Sequence, residues 1–139
     1  MDKVTLYNKI NDLLNIYETP FQIYDEYGIR NNIKNILNEF KKYFDFHHFF
    51  AVKALPNPNI LKILIDEGSG LDCSSLTELK IAEMLKINPE KVIFTSNYTS
   101  IEDLKYAFDM NVIINLDDFS LIDNLYNIYN KFPDKIFFR

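Results

Sequence analysis

The chain has 139 residues, 47% hydrophobic and 25% charged, with a formal net charge of -5 and a sequence pI near 5.0. That is apolar material for one ordinary core, or part of one, while the acidic balance excludes a nucleic-acid surface, which needs clustered Lys and Arg to displace counterions. No apolar run approaches the roughly 20 residues that span a bilayer, and the opening "MDKVTLYNKI" is polar rather than a signal-peptide core. The lone Cys73 excludes an internal disulfide and leaves too few soft ligands for a structural zinc site, so no metal is expected. These features lead us to expect a cytoplasmic protein whose partners are small molecules, with no nucleic acid and no membrane.

In chain order, a helix-like segment comes first, and "FQIYD" then reads as a short strand. "IRNNIKNILNEFKKYF" places Ile29, Ile33, Ile36 and Phe40 at helical spacing. From there a rhythm sets in. The strand-like runs "HFFAVKA", "GLDCS", "KVIFTS", "NVIINLD" and "KIFFR" alternate with "NPNILKILIDEG", "SLTELKIAEMLK", "SIEDLKYAFDM" and "FSLIDNLYNIYNKF". The steps between strands are about 20 to 24 residues, room for a crossover helix and a short loop, which predicts a parallel sheet with right-handed connections.

Two architectures satisfy this pattern: a complete doubly wound sheet, or the first five strands of a (β/α)8 barrel that takes roughly 250 residues in full. In both, ligands bind at the carboxyl ends of the strands. The residues there are Lys53, Asp72 with Ser74, Thr95 to Asn97, Asn115 with Asp117, and Arg139. Polar groups of both signs thus meet at one rim above apolar strand bodies.

Lys53 is the cation that asks for an explanation. Strand alternation puts Phe49, Ala51 and Lys53 on one face, and Gly70, Asp72 and Ser74 on the matching face of the next strand. A lysine beside a small residue and a carboxylate has room for a flat ligand, and a desolvated neutral amine is a Schiff-base nucleophile. An ion pair between Lys53 and Asp72, or a lysine that snorkels to water, satisfies the same pattern. Other conspicuous residues have structural readings. His47 and His48 enter the first strand at its amino end, Cys73 points to the helix side and packs as a small hydrophobe, and Phe137 and Phe138 are read as core. Asp117 and Asp118 either cap the next helix or touch a ligand.

The stretch "FFAVKALPNPNILKILIDEGSGLDCSSLTELKIAE" resembles the segment around the pyridoxal-phosphate lysine in the fold type III decarboxylases of ornithine, diaminopimelate and arginine. In that family a strand ending "YAVKAN" carries the lysine, "NP" opens the next helix, and "GxGxDxxSxxEL" follows. The similarity continues through "VIFTSN", "VIINLDD" and "FFR". "GSGLDCSSLTEL" and "PNP" look most like diaminopimelate decarboxylases, while "DCSS" also resembles ornithine decarboxylases and "KAL" carboxynorspermidine decarboxylases.

The resemblance implies an α/β fold, the first five strands of a (β/α)8 TIM barrel of the alanine racemase-like type. Residues 1–28 would form a helix and strand joining a carboxyl-terminal β-domain, and 29–139 the first part of the barrel, with the remainder absent from these residues. It implies pyridoxal 5'-phosphate held by Lys53, with Ala51 bordering the ring, Asp72 beside lysine and cofactor, and Arg139 reaching into the same pocket. Glu78 matches a family glutamate near that arginine, yet Ser75 and Glu78 also have capping-box spacing, and both readings stand. The implied reaction is decarboxylation of meso-diaminopimelate to L-lysine in a homodimer, with ornithine, arginine or carboxynorspermidine as alternative substrates. A non-catalytic truncated homologue acting as a binding module is the alternative of another class. The phosphate loop, ring-nitrogen carboxylate and substrate-end residues of the family have no counterpart in these 139 residues, which alone are expected to be inactive.

Overall fold

A computed structural model describes residues 3–139. Helix α1 (Lys3–Ile16) is followed by α2 (Glu26–Lys41), which starts three residues earlier than the apolar spacing suggests because the Asp25 side chain accepts the Gly28 N–H and caps it. Four βα steps and a fifth strand follow: β1 (Phe49–Ala51), α3 (Pro58–Asp66), β2 (Gly70–Cys73), α4 (Leu76–Met84), β3 (Val92–Thr95), α5 (Ile101–Asp109), β4 (Ile113–Leu116), α6 (Ser120–Tyr129) and β5 (Ile136–Phe138). Each central helix starts on a residue whose side chain accepts backbone N–H groups: Asn57 with Pro58 next for α3, Ser75 for α4, Ser100 for α5.

All four strand pairs are parallel, and the strand order is β1-β2-β3-β4-β5. That order decides between the two architectures. A doubly wound sheet reverses direction at a switch point and carries helices on both faces, whereas here every crossover steps the same way and right-handed connections leave the crossover helices α3 to α6 on one side. The sheet is an arc of a barrel wall.

The helix-covered side carries the core. Val52, Leu71, Cys73, Val92, Phe94, Ile114 and Leu116 are buried against Leu61, Leu79, Leu104 and Leu125. A smaller cluster joins α2 to α3 through Ile33, Leu37, Ile60 and Leu64. Arg30 and Lys34 of α2 reinforce it by pairing with Glu67 at 2.8 and 3.2 Å.

Three expectations are corrected. Residues 21–25, read as a strand, have no ladder partner among the described residues and run without regular structure, since a strand exists only where another strand completes its hydrogen bonds. The first strand stops at Ala51, because Ala51 opposite Asp72 is the last pair of its ladder, and residues 52–54 turn into a single 3-10 turn. Phe137 and Phe138, read as core, are 49% and 59% exposed, since β5 is an edge strand with a neighbour on one side only.

Candidate active site

Register fixes which side chains share the uncovered, inward face. Phe49 and Ala51 stand beside Gly70 and Asp72; Asp72 is opposite Ile93; Thr95 is opposite Asn115, which is opposite Phe137. Parity then places Arg139, two residues beyond Phe137, on the same side. In the amino half of this face the packing around Gly70 is tight. A Cβ on Gly70 would lie 2.5 Å from both the Phe49 ring and the Lys91 carbonyl oxygen. The carboxyl half is polar, with Asp72, Thr95 and Asn115 half-buried.

Lys53 lies in the 3-10 turn just past β1, two residues beyond the last ladder pair, and its side chain is exposed. The residue before it, Val52, is fully buried on the helix side. No ion pair joins Lys53 to Asp72, so the salt-bridge alternative is not the arrangement in this structure. Asp72 is half-buried, and its Oδ1 is buried without a hydrogen-bond partner. Ala51 is half-buried, in register with Asp72 and two residues before Lys53.

Glu78 is engaged as a cap. Its Oε2 accepts the Ser74 N–H at 2.8 Å, the Ser74 and Ser75 hydroxyls bond its carboxylate at 3.2 to 3.3 Å, and its own N–H donates to Ser75 Oγ at 3.4 Å. This is a capping box displaced by one residue, and it fixes the turn that follows Asp72. Asp118 likewise accepts the Ser120 N–H at 2.7 Å, and bonds from the Ser120 hydroxyl and backbone hold its carboxyl below the usual range. Asp117 is exposed. Cys73 is fully buried, and burial pushes its thiol up to about 12, which leaves it an unreactive packing group.

At the opposite end of the strands, His48 Nδ1 lies 2.8 Å from Ser69 Oγ, whose single proton goes to the Gly70 carbonyl. The imidazole and that hydroxyl are hydrogen-bond partners. Burial holds its pKa below the ordinary value. His47 is exposed near Asp45. Neither histidine approaches the carboxyl ends of the strands.

In the sequence, Thr95, Asn97 and Asn115 stand out only as members of the rim. Asn115 Nδ2 donates to Thr95 Oγ1 at 3.4 Å, which turns the other amide atom, Oδ1, into a second buried acceptor without a partner. The Arg139 guanidinium donates to Asn97 Oδ1. Strand parity was the signal that places Thr95 and Asn115 beside Asp72's face.

The residues fit an aldehyde-bearing, flat cofactor: an accessible primary amine, a small neighbour, and two buried acceptor oxygens that no donor among the described residues satisfies. Buried polar atoms left unpaired cost about 1–3 kcal/mol each and call for a partner outside the sheet. Among the described residues no group of three or more His, Cys, Asp or Glu side chains could hold a metal ion, and no helix is long and apolar enough to cross a membrane.

Residues 28–139 match the family described as "Pyridoxal-dependent decarboxylase, pyridoxal binding domain". The chain is 40% identical over 134 residues to Protein TabA of Pseudomonas amygdali pv. tabaci, covering 96% of this chain and 31% of that protein. It is 35% identical over 118 residues to a diaminopimelate decarboxylase of Methanothermobacter thermautotrophicus, covering 84% and 28%. The crystal structure of a diaminopimelate decarboxylase from M. jannaschi superimposes with a TM-score of 0.79 at 25% identity, covering 84% of this chain and 28% of that one. The chain thus spans under a third of the length of these relatives. With pyridoxal as that family's cofactor, and with the helix-backed parallel arc that its solved members share, the chain belongs to the pyridoxal-dependent decarboxylases through their pyridoxal-binding domain.

Proposed function

We propose that this chain supplies the cofactor-holding lysine and the adjoining inward face of an amino-acid decarboxylase that converts meso-diaminopimelate to L-lysine. The observation that carries the reading is the position of Lys53, an exposed, unpaired amine at the carboxyl end of β1, beside small Ala51 and the unpartnered oxygen of Asp72. When bound, the cofactor supplies an electron sink for the pair left behind as carbon dioxide departs.

The chain's own residues hold one side of that cofactor. Lys53 holds the cofactor's aldehyde end, and an amine free of any ion pair is open to attack a carbonyl. Ala51 leaves room for a ring. Asp72 presents an acceptor to a donor beside the lysine, and Arg139 brings positive charge to the same mouth. Glu78 acts indirectly, by fixing the turn that carries Ser74.

The choice of diaminopimelate rests on the spelling around Lys53 and on the Methanothermobacter relative. A homodimer in the cytoplasm is the setting we infer. By themselves these 139 residues are expected not to decarboxylate, because the inward face leaves Phe137 half-exposed and none of the three glycines follows Gly70 to cradle a phosphate.

Borohydride reduction of the cofactor-loaded protein followed by peptide mapping is expected to fix the pyridoxyl label on Lys53. Label on Lys62 or Lys80 instead overturns the assignment. In an enzyme that carries the rest of the barrel, Lys53→Ala is expected to abolish turnover with the denaturation midpoint unchanged; loss of folding together with activity would return Lys53 to a structural role. Faster turnover of ornithine, arginine or carboxynorspermidine than of diaminopimelate would refute the substrate.

A further inference from the structure

We infer that Asn97 is a positioning residue that clamps the Arg139 guanidinium across the carboxyl end of β4. The inference rests on the functional reading above, in which Arg139 serves the cofactor site.

The geometry begins with the backbone. The Arg139 N–H donates to the Leu116 carbonyl at 3.0 Å, so the residue is tied to β4 just where the ladder ends. Its side chain, on the inward side by parity, then reaches past β4 to Asn97, two residues beyond the end of β3. The bridge therefore spans three strands. Beneath it lie Thr95 and Asn115, opposite one another in register and joined through the amide nitrogen of Asn115. An arginine held over this pair faces the same carboxyl half of the face as the unpaired oxygens of Asn115 and Asp72.

Chemistry fixes which way Asn97 points. Guanidinium has five donors and no acceptor, so only the amide oxygen can face it. The loop that presents Asn97 is itself pinned: Ser96 is buried, its Oγ accepts the Tyr98 N–H at 3.3 Å, and Ser100 starts α5 by accepting the Asp103 N–H at 3.0 Å. A long flexible cation at an open mouth loses much side-chain freedom when it binds. An acceptor on a rigid loop that holds it in place beforehand lowers that cost for any anionic or acceptor group that Arg139 meets.

The clamp has a distinctive signature, because Asn97 would act only through Arg139. In the cofactor-binding protein, Asn97→Ala is expected to raise the cofactor dissociation constant by about threefold to tenfold, the worth of one exposed charge-assisted hydrogen bond. Arg139→Ala is expected to raise it further, and the double variant to match Arg139→Ala alone. Asn97→Asp keeps an acceptor in place and is expected to restore affinity relative to Asn97→Ala. Cofactor titration followed by its visible absorbance reads all four proteins without recourse to turnover. Additive losses from Asn97→Ala and Arg139→Ala, or affinity unchanged in Asn97→Ala, would overturn the clamp. The two readings fail separately. Label absent from Lys53 in the parent protein defeats the functional reading, while label present with additive losses defeats only the role of Asn97.

Discussion

The two faces of the β1–β5 sheet come from the same alternating strands and are built to different ends. On the helix side, Val52, Leu71, Val92, Phe94 and Leu116 are all at most 1% exposed. On the inward side, Ala51, Asp72, Ile93, Thr95 and Asn115 are half-buried, and two of them hold acceptor oxygens with no donor. One face gains free energy by removing apolar surface from water; the other keeps polar groups unsatisfied at a cost. The difference teaches where a substitution will be felt as stability and where as ligand affinity.

The largest effect should come from the covered face. Phe94→Ala empties the centre of the core, and a loss of about 3–5 kcal/mol is expected in urea unfolding; a loss below about 1 kcal/mol would mean that the helices do not pack as tightly as the burial implies. Gly70→Ala tests the tight packing in the amino half of the inward face. Its Cβ would press on the Lys91 backbone as well as the Phe49 ring, and a cost of about 1–3 kcal/mol is expected. An unchanged midpoint would show that β1 and β2 can part at no cost.

Asn115→Leu should separate the faces most sharply. Removing an unsatisfied acceptor is expected to leave stability level or raise it by up to about 1 kcal/mol, while cofactor affinity falls. Equal losses of both would place Asn115 with the core.

The smallest effect is a pH dependence at the amino end. Burial favours neutral His48, so its folded pKa lies below the unfolded value of about 6.5. The unfolded chain then binds the proton first as pH falls. The stability that depends on neutral His48 is whole above about 6.5 and declines as pH drops below it toward the folded pKa. Urea midpoints at pH 7 and pH 5 should differ more in the parent than in His48→Asn. Equal differences would remove His48 from the account.

Much of this was legible in the sequence. Alternation assigned Ala51 and Asp72 to one face and Cys73 to the other, and the βα rhythm gave five parallel strands. What periodicity does not carry is where a ladder ends, since that depends on the partner strand; hence Lys53 lies in a turn rather than in β1. Nor does local pattern show what an edge leaves uncovered, which is why Phe137 and Phe138 look like core residues in the sequence and are exposed in the fold. The Glu78 cap was visible in its spacing from Ser75, but only geometry shows both carboxylate oxygens occupied. Asn97 and Arg139 meet across three strands, and nothing in either neighbourhood announces the other.

The turn that carries Lys53 is anchored at both ends. Upstream, Ala51 is the last ladder residue and Val52 is sealed among the helices; downstream, the Leu55 N–H bonds the Val52 carbonyl at 3.1 Å, and Asn57 caps α3. Lysine's backbone is thus a fixed post, and the amine travels by side-chain torsions alone. Exposed side chains change rotamer in picoseconds to nanoseconds. A cofactor held by that amine, as proposed above, could be taken up and released by the motion of the arm alone, with no rearrangement of the sheet.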